Sequence, residues 1–428
     1  MYQNIKKKNL INTIILTFII LFLIVYFFFG FYSLENSSGA GDFDGDLASI
    51  WSNLEIFKTG VIENLDNRNY NDSRIPLSYI LHIKLNPFSN SISGLRNSVF
   101  LISLLVPILF YVSIKKKYEN LNNLFLICIS LIITLSPYFR TSSYWALGEN
   151  YAFIFILVSF LLLNMIENEK KDQTKNLFIL FLLTLSSSIV VYFDQKLAII
   201  PLIVYLQILV SNQSLKYKIL TTFFYILFSL PFFYLIFLWE SILPPNAHAL
   251  RLEDQNNEIY HIGYASSMIA FYLFPLIFFK ENWKYSLTKK IFNKNFVLFL
   301  FFILIYLLLI IIFGNFNELP NLGKGVLHKG LSVIFVNDNI KFILTLFGFF
   351  VSFIIIYFYL DFKYDFIFII YFLIISFFIH PFLQEYIDPI FFLLLFTFFK
   401  TKIVINFKNI LIIFIYYFSF LTVAQVYY

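Results

Sequence analysis

Separate apolar runs of roughly 15 to 24 residues recur from one end of this chain to the other, and no other feature limits its folding as severely. Each run is long enough, as a helix rising about 1.5 Å per residue, to cross a hydrocarbon core of roughly 30 Å. With 60% hydrophobic and 13% charged residues, the chain carries about half the charged fraction usual for a soluble domain. A water-soluble fold could not hide so much apolar surface, so lipid is the expected solvent. The prediction is an all-α polytopic membrane protein of about 11 to 13 transmembrane helices, a single transmembrane domain over 1–428 with no soluble domain and no periodic repeat.

The runs lie near 10–32, 98–114, 121–138, 150–166, 177–193, 197–211, 219–239, 263–279, 296–313, 341–360, 365–379, 387–399 and 404–424. The first follows Lys6, Lys7 and Lys8, as a secretory signal would. Its length exceeds a cleaved hydrophobic region of about 7 to 15 residues and reads as a retained anchor. Cys128 is the only cysteine and lies inside an apolar run, which excludes an internal disulfide and thiolate metal sites.

With the N-terminus placed in the cytoplasm and the runs alternating, the inner segments hold 20 of the 31 basic residues and the outer segments 11. The positive-inside rule supports that orientation. Acidic residues divide the other way, 18 outside and 7 inside of the 25. The net charge of +6 is then explained by inner lysines facing anionic lipid, without nucleic acid as a partner. The expected location is a cell membrane, the inner membrane of a bacterium.

Three outer loops are long: 33–97, 240–261 and 314–339. Long ordered loops gathered on one face usually carry function. Within the first, 47–57 and 76–85 have helical apolar spacing but are too short to span, and read as helices along the outer interface.

The densest polar cluster is Gly41-Asp42-Phe43-Asp44-Gly45-Asp46, about ten residues beyond the first run. Such carboxylates suit a divalent cation or a general base. A calcium loop does not fit: with Asp42 as position 1, glycine falls at 4 rather than 6, and Asn53 stands where a bidentate glutamate belongs. A solvated acidic turn without a role is the plainer reading.

Asp46-Leu47-Ala48 leads through Trp51 to Thr59-Gly60, and Arg74-Ile75-Pro76-Leu77 follows. In this order and spacing the segment resembles the GT-C superfamily of integral membrane glycosyltransferases, which includes protein O-mannosyltransferases, aminoarabinose transferases and glucosyltransferases that use dolichyl-phosphoglucose. There an aspartate soon after the first helix acts as base, followed by a short helix, a glycine and later a proline-leucine pair. The sequence departs at Leu47, where many members carry glutamate, and at Arg74, where some have histidine. The resemblance implies a base among Asp46, Asp44 and Asp42, with Asp46 favoured.

Further similarity lies at Arg140 and Glu149 around the fourth run, and at Lys196 between the fifth and sixth. Ion pairs of Arg140 with Glu149 and of Lys196 with Asp194 are the bland alternatives. Glu385 stands where related transferases often have an arginine. What the resemblance implies is inverting transfer of a sugar from a polyprenyl-phosphate donor to a hydroxyl of a glycan, lipid or protein acceptor on the outer face. The acceptor hydroxyl would attack C1 as the aspartate takes its proton. Arg74, Arg140, Glu149 and Lys196 would hold substrate, and His261 or Lys329 would close over the head group. No cofactor is implied, and a divalent cation stays open. Two other classes also stay open: a polymerase of lipid-linked repeat units, and a transporter or flippase of lipid-linked sugars. A transporter would place ionisable residues near the bilayer midplane, which these runs largely lack.

Overall fold

The computed structural model describes residues 2–39, 41–168, 173–211, 213–244, 258–277, 279, 283–314, 323–360, 363–378, 382–401 and 403–428. Among these all regular structure is helical, as expected where the surroundings cannot satisfy backbone N–H and C=O groups. The helices are α1 Tyr2–Tyr32, α2 Asp46–Lys58, α3 Leu77–Leu85, α4 Ile92–Ser103, α5 Leu105–Lys117, α6 Asn123–Ile132, α7 Pro137–Tyr144, α8 Glu149–Asn168, α9 Gln173–Phe193, α10 Ile199–Val210, α11 Leu215–Trp239, α12 Glu258–Ile277, α13 Trp283–Ile291, α14 Lys294–Phe313, α15 Gly325–Ile334, α16 Asp338–Tyr359, α17 Lys363–Phe378, α18 Ile390–Phe396 and α19 Phe407–Tyr427.

Seven helices among the described residues are long and apolar enough to cross a membrane. An eighth arises if α6 and α7, which meet at 73°, form one broken span. The bend has a local cause. Pro137 pushes Ser136 into the extended region, and the Ser136 hydroxyl then caps α7 by accepting from the Phe139 N–H at 2.9 Å. Three further apolar helices, Leu177–Phe193, Gln195–Val210 and Asp365–Phe377, are shorter. The run at 387–399 is not a span. It yields α18, seven residues long and buried throughout.

The chain forms two compact units, residues 1–253 with 417–428, and residues 254–416. In the first, α1 packs on α6 and α7, α5 lies against α6 and α8, α8 pairs with α9, and α9 carries α10 and α11. The first-loop helices α2 and α3 pack on each other. In the second, α12 is the hub for α15, α16, α17 and α18, and it is buried nearly all round, as a helix apolar on every face should be. Lys290 of α13 caps α16 there, donating to the carbonyls of Tyr357 and Phe358 at 3.2 Å and to that of Leu360.

Candidate functional site

The acidic turn after α1 is held by its non-acidic members. The Asn36 side-chain oxygen accepts from the N–H groups of Gly39 and Gly41, both at 3.0 Å. Gly41 lies so close to Trp145 that a Cβ there would come within 2.2 Å of the indole. Phe43 meets the same indole edge-on at 5.5 Å. Asp42 and Asp44, alternating with these, are exposed. Asp46 differs from both: it is half-buried and opens α2, where a carboxylate favours the positive end of the helix. At helical spacing it shares a face with Ile50, Asn53 and Phe57, all buried.

Two turns along that face a chain of polar contacts begins. The Asn53 amide approaches the Tyr79 hydroxyl at 3.5 Å, and that hydroxyl donates to Asp72 at 2.7 Å. Asp72 accepts the Arg74 N–H at 3.0 Å and faces its guanidinium at 3.5 Å. The guanidinium pairs with Glu149, the first residue of α8, and lies 3.9 Å from Asp194. Asp194 caps the turn between α9 and α10 through the Lys196 N–H at 3.0 Å, and pairs with the Lys196 ammonium at 3.1 Å. Three distant segments thus bring Asp72, Arg74, Glu149, Asp194 and Lys196 together. Among the described residues three carboxylates meet two cations there. Burial and the Asp72 carboxylate push the Tyr79 phenol well above its ordinary range, so it stays a donor.

Arg74, Glu149 and Lys196 are therefore neighbours. The bland pairing of Lys196 with Asp194 also forms, whereas Glu149 pairs with Arg74 and not with Arg140. Arg140 lies elsewhere, 0% exposed. Its guanidinium donates to both oxygens of Glu35, at 2.7 and 2.5 Å, and at 3.1 Å to the carbonyls of Thr134 and Tyr26. With its donors committed inside the protein, it positions helices rather than presenting charge to a ligand.

Sequence reasoning passed over Asp72, Glu35, Arg96 and His82. Asp72 could have been found from its spacing of two from Arg74, and Arg96 from being an arginine inside an apolar helix. Arg96 donates to the last carbonyls of two helices, Tyr144 at 2.8 Å and Phe31 at 2.7 Å. His82 meets Asn86 at 3.0 Å and the Tyr151 hydroxyl at 3.5 Å. Burial pushes it down to about 4, so it is neutral at ordinary pH.

Beside the charged cluster runs a groove of about 410 Å³ between α9, α10 and α11, within the range of small-molecule sites. Of its hydroxyls, Tyr205 bonds Thr222 at 3.1 Å, Tyr225 bonds Ser187 behind the wall at 2.8 Å, and Tyr192 and Ser229 donate to the carbonyls of Phe228 and Ile226 at 2.6 and 2.8 Å. The remaining wall is aliphatic and aromatic, and Leu202, Ile226 and Phe233 are exposed along its opening. Tyr192 joins groove to cluster. It lines the groove two residues before Asp194 and packs against the core of Ile75, the residue after Arg74. None of Asp42, Asp44 and Asp46 lines the groove.

His261 belongs to the second unit, where it is buried on α12 with its Nδ1 3.0 Å from the Ser376 carbonyl oxygen. Lys329 is half-buried on α15. Residues 245–257 and 379–381, and with them His248, Arg251, His380 and Pro381, lie outside the described residues. Among the described residues no three His, Cys, Asp or Glu side chains converge on a metal-sized site. No family model, no curated protein and no solved structure matches the chain.

Proposed function

We propose that the chain is a GT-C-like membrane glycosyltransferase that moves a sugar from a polyprenyl-phosphate donor to an acceptor hydroxyl at the outer face, in a bacterial inner membrane. The observation that carries this reading is the charged cluster of Arg74, Glu149, Asp194 and Lys196 beside an apolar groove open along its side. A lipid-borne sugar has that same division, an isoprenoid chain that prefers apolar walls and a head group rich in hydroxyls. Carboxylates suit sugar hydroxyls as acceptors.

In this reading a carboxylate takes the proton of the acceptor hydroxyl while its oxygen forms a bond to C1 of the sugar. The bond from C1 to the phosphate oxygen breaks, and polyprenyl phosphate leaves with the electron pair. A single displacement inverts the anomeric centre. Asp46 is the proposed base, since it alone of the three aspartates lies on the inner face of α2. Arg74 and Lys196 steady the developing charge. Arg140 acts one step removed, holding the α1 and α7 ends between which the acidic turn is seated.

The test is a transfer assay in membranes with labelled polyprenyl-phosphate sugars. Asp46→Asn is expected to lower the turnover by about 10² to 10⁴, and Arg74→Gln to raise KM. Transfer at the parent's rate by both Asp44→Asn and Asp46→Asn would defeat the assignment. Translocation of lipid-linked sugar without transfer would favour a flippase instead.

A further inference from the structure

The second unit gathers basic side chains around one helix, α15. In the connection between α14 and α16, Gly323, Lys324 and Gly325 stand in succession at φ +82°, +63° and +66°. Glycine enters that region readily and lysine rarely does. The turn delivers the chain into α15, so Lys324 is the residue that caps its N-terminus. Close packing holds it there: the Lys324 N–H donates to the Phe382 carbonyl at 3.1 Å, and the Val326 N–H to the Gln384 side-chain oxygen at 2.9 Å. A Cβ on Gly325 would come within 2.6 Å of Met268.

Lys324 is 5% exposed, and its ammonium has neither hydrogen bond nor ion pair among the described residues. A buried ammonium without a partner is costly, and burial pushes this one down to about 8. One turn along α15 stands His328. Burial and the nearby charges of Lys324, Lys341 and Lys329 push it down to about 4. Burial also lowers the Lys329 ammonium. Among the described residues the acid nearest along the chain, Asp338, pairs with Lys341 at 2.9 Å, and Glu318 lies outside the described residues. The positive end of the α15 dipole adds to the same field.

Such an arrangement is unfavourable when empty and favourable around an anion. We propose that Lys324, His328, Lys329 and the N-terminus of α15 form a binding site for a phosphate monoanion or dianion, supplied either as free phosphate or as the head group of a lipid phosphate. Three observations join here: a helix N-terminus, a buried amine lacking a partner among the described residues, and a second lysine with a neutral imidazole on the adjoining turn. The setting allows the lipid source. α14 and α16 both qualify as membrane spans, and the far end of α15 exposes Val333, Ile334 and Val336. The site stands whether or not the chain transfers sugars.

The full chain, purified in detergent, tests the site by binding, without a transfer assay. Inorganic phosphate is one probe and a polyprenyl monophosphate in mixed micelles the other, each read by direct titration and by the shift in unfolding temperature. Binding of both marks a site for the anion itself, and binding of the lipid alone marks a head-group site. Lys324→Met is expected to weaken binding about tenfold or more, and to raise the unfolding temperature of the ligand-free protein by removing a buried charge. Lys329→Gln is expected to weaken binding as well. The site is refuted if neither probe binds the parent, if both variants bind as tightly as the parent, or if ligand-free Lys324→Met unfolds below it. Asp46→Asn, which tests the transferase, is expected to leave both affinities unchanged.

Discussion

At the scale of single residues, burial decides what a titratable group can do. His82 lies outside the membrane-spanning helices, and its only described polar neighbours are Asn86 and Tyr151. Because burial holds it near 4 in the folded chain, against about 6.5 when unfolded, the unfolded state binds its proton first. The stability it contributes is complete above pH 6.5 and is lost as pH falls towards 4. The loss is expected to be about 2 to 3 kcal/mol. Unfolding temperatures in detergent between pH 7 and 4 should show it, and His82→Gln should flatten that part of the profile. An equal slope in the variant would assign the acid sensitivity elsewhere.

At the scale of elements, α1 shows how tertiary contacts select one face from a uniformly apolar helix. Leu16, Ile19, Leu23, Phe27 and Phe31 are buried, while Leu10, Ile14, Phe18, Leu21, Val25 and Phe29 are exposed. The helix ends with Leu34 in the left-handed region at φ +58°. The Glu35 N–H returns to the Gly30 carbonyl at 3.0 Å and the Leu34 N–H to that of Phe31 at 3.4 Å. This is a glycine-type termination carried by leucine, and the Glu35–Arg140 pair helps hold it. A Cβ on Gly30 would come within 2.2 Å of the Arg140 guanidinium, so only glycine lets the pair close. Glu35→Gln leaves a buried arginine uncompensated and is expected to destabilise by about 3 to 5 kcal/mol. Gly30→Ala should act in the same direction. Unfolding temperatures equal to the parent's in both variants would contradict the role given to the pair.

For the whole molecule, the asymmetry of charge predicts a direction across the bilayer. The chain offers a clean test, because its single cysteine, Cys128, is buried. Asp44 and Lys116 are both exposed. Asp44→Cys should react with a membrane-impermeant maleimide on intact cells, and Lys116→Cys only after the membrane is opened. The reverse pattern would invert the topology and remove the outer-face site with it.

Much of the architecture was legible because lipid as solvent imposes it: recurring apolar runs have one common outcome, the helix. The acidic turn, the α2 and α3 helices of the first loop and the long apolar helix of the first run could all be read from local pattern. Local pattern failed where the core, rather than lipid, is the apolar surrounding. Thus the run at 387–399 is buried as the short α18 instead of crossing, since hydropathy does not distinguish the two destinations. For the candidate site, the sequence supplied Arg74, Glu149 and Lys196 as separate residues, and folding alone joined them through Asp72 and Asp194. Folding also committed Arg140 to Glu35 and left Lys324 buried without a partner among the described residues. Charge along a chain is local, but which charges meet depends on contacts between distant segments. The sequence by itself determined a helical membrane protein, and the tertiary structure decided which of its ions compensate one another, because that depends on contacts between segments far apart in the chain.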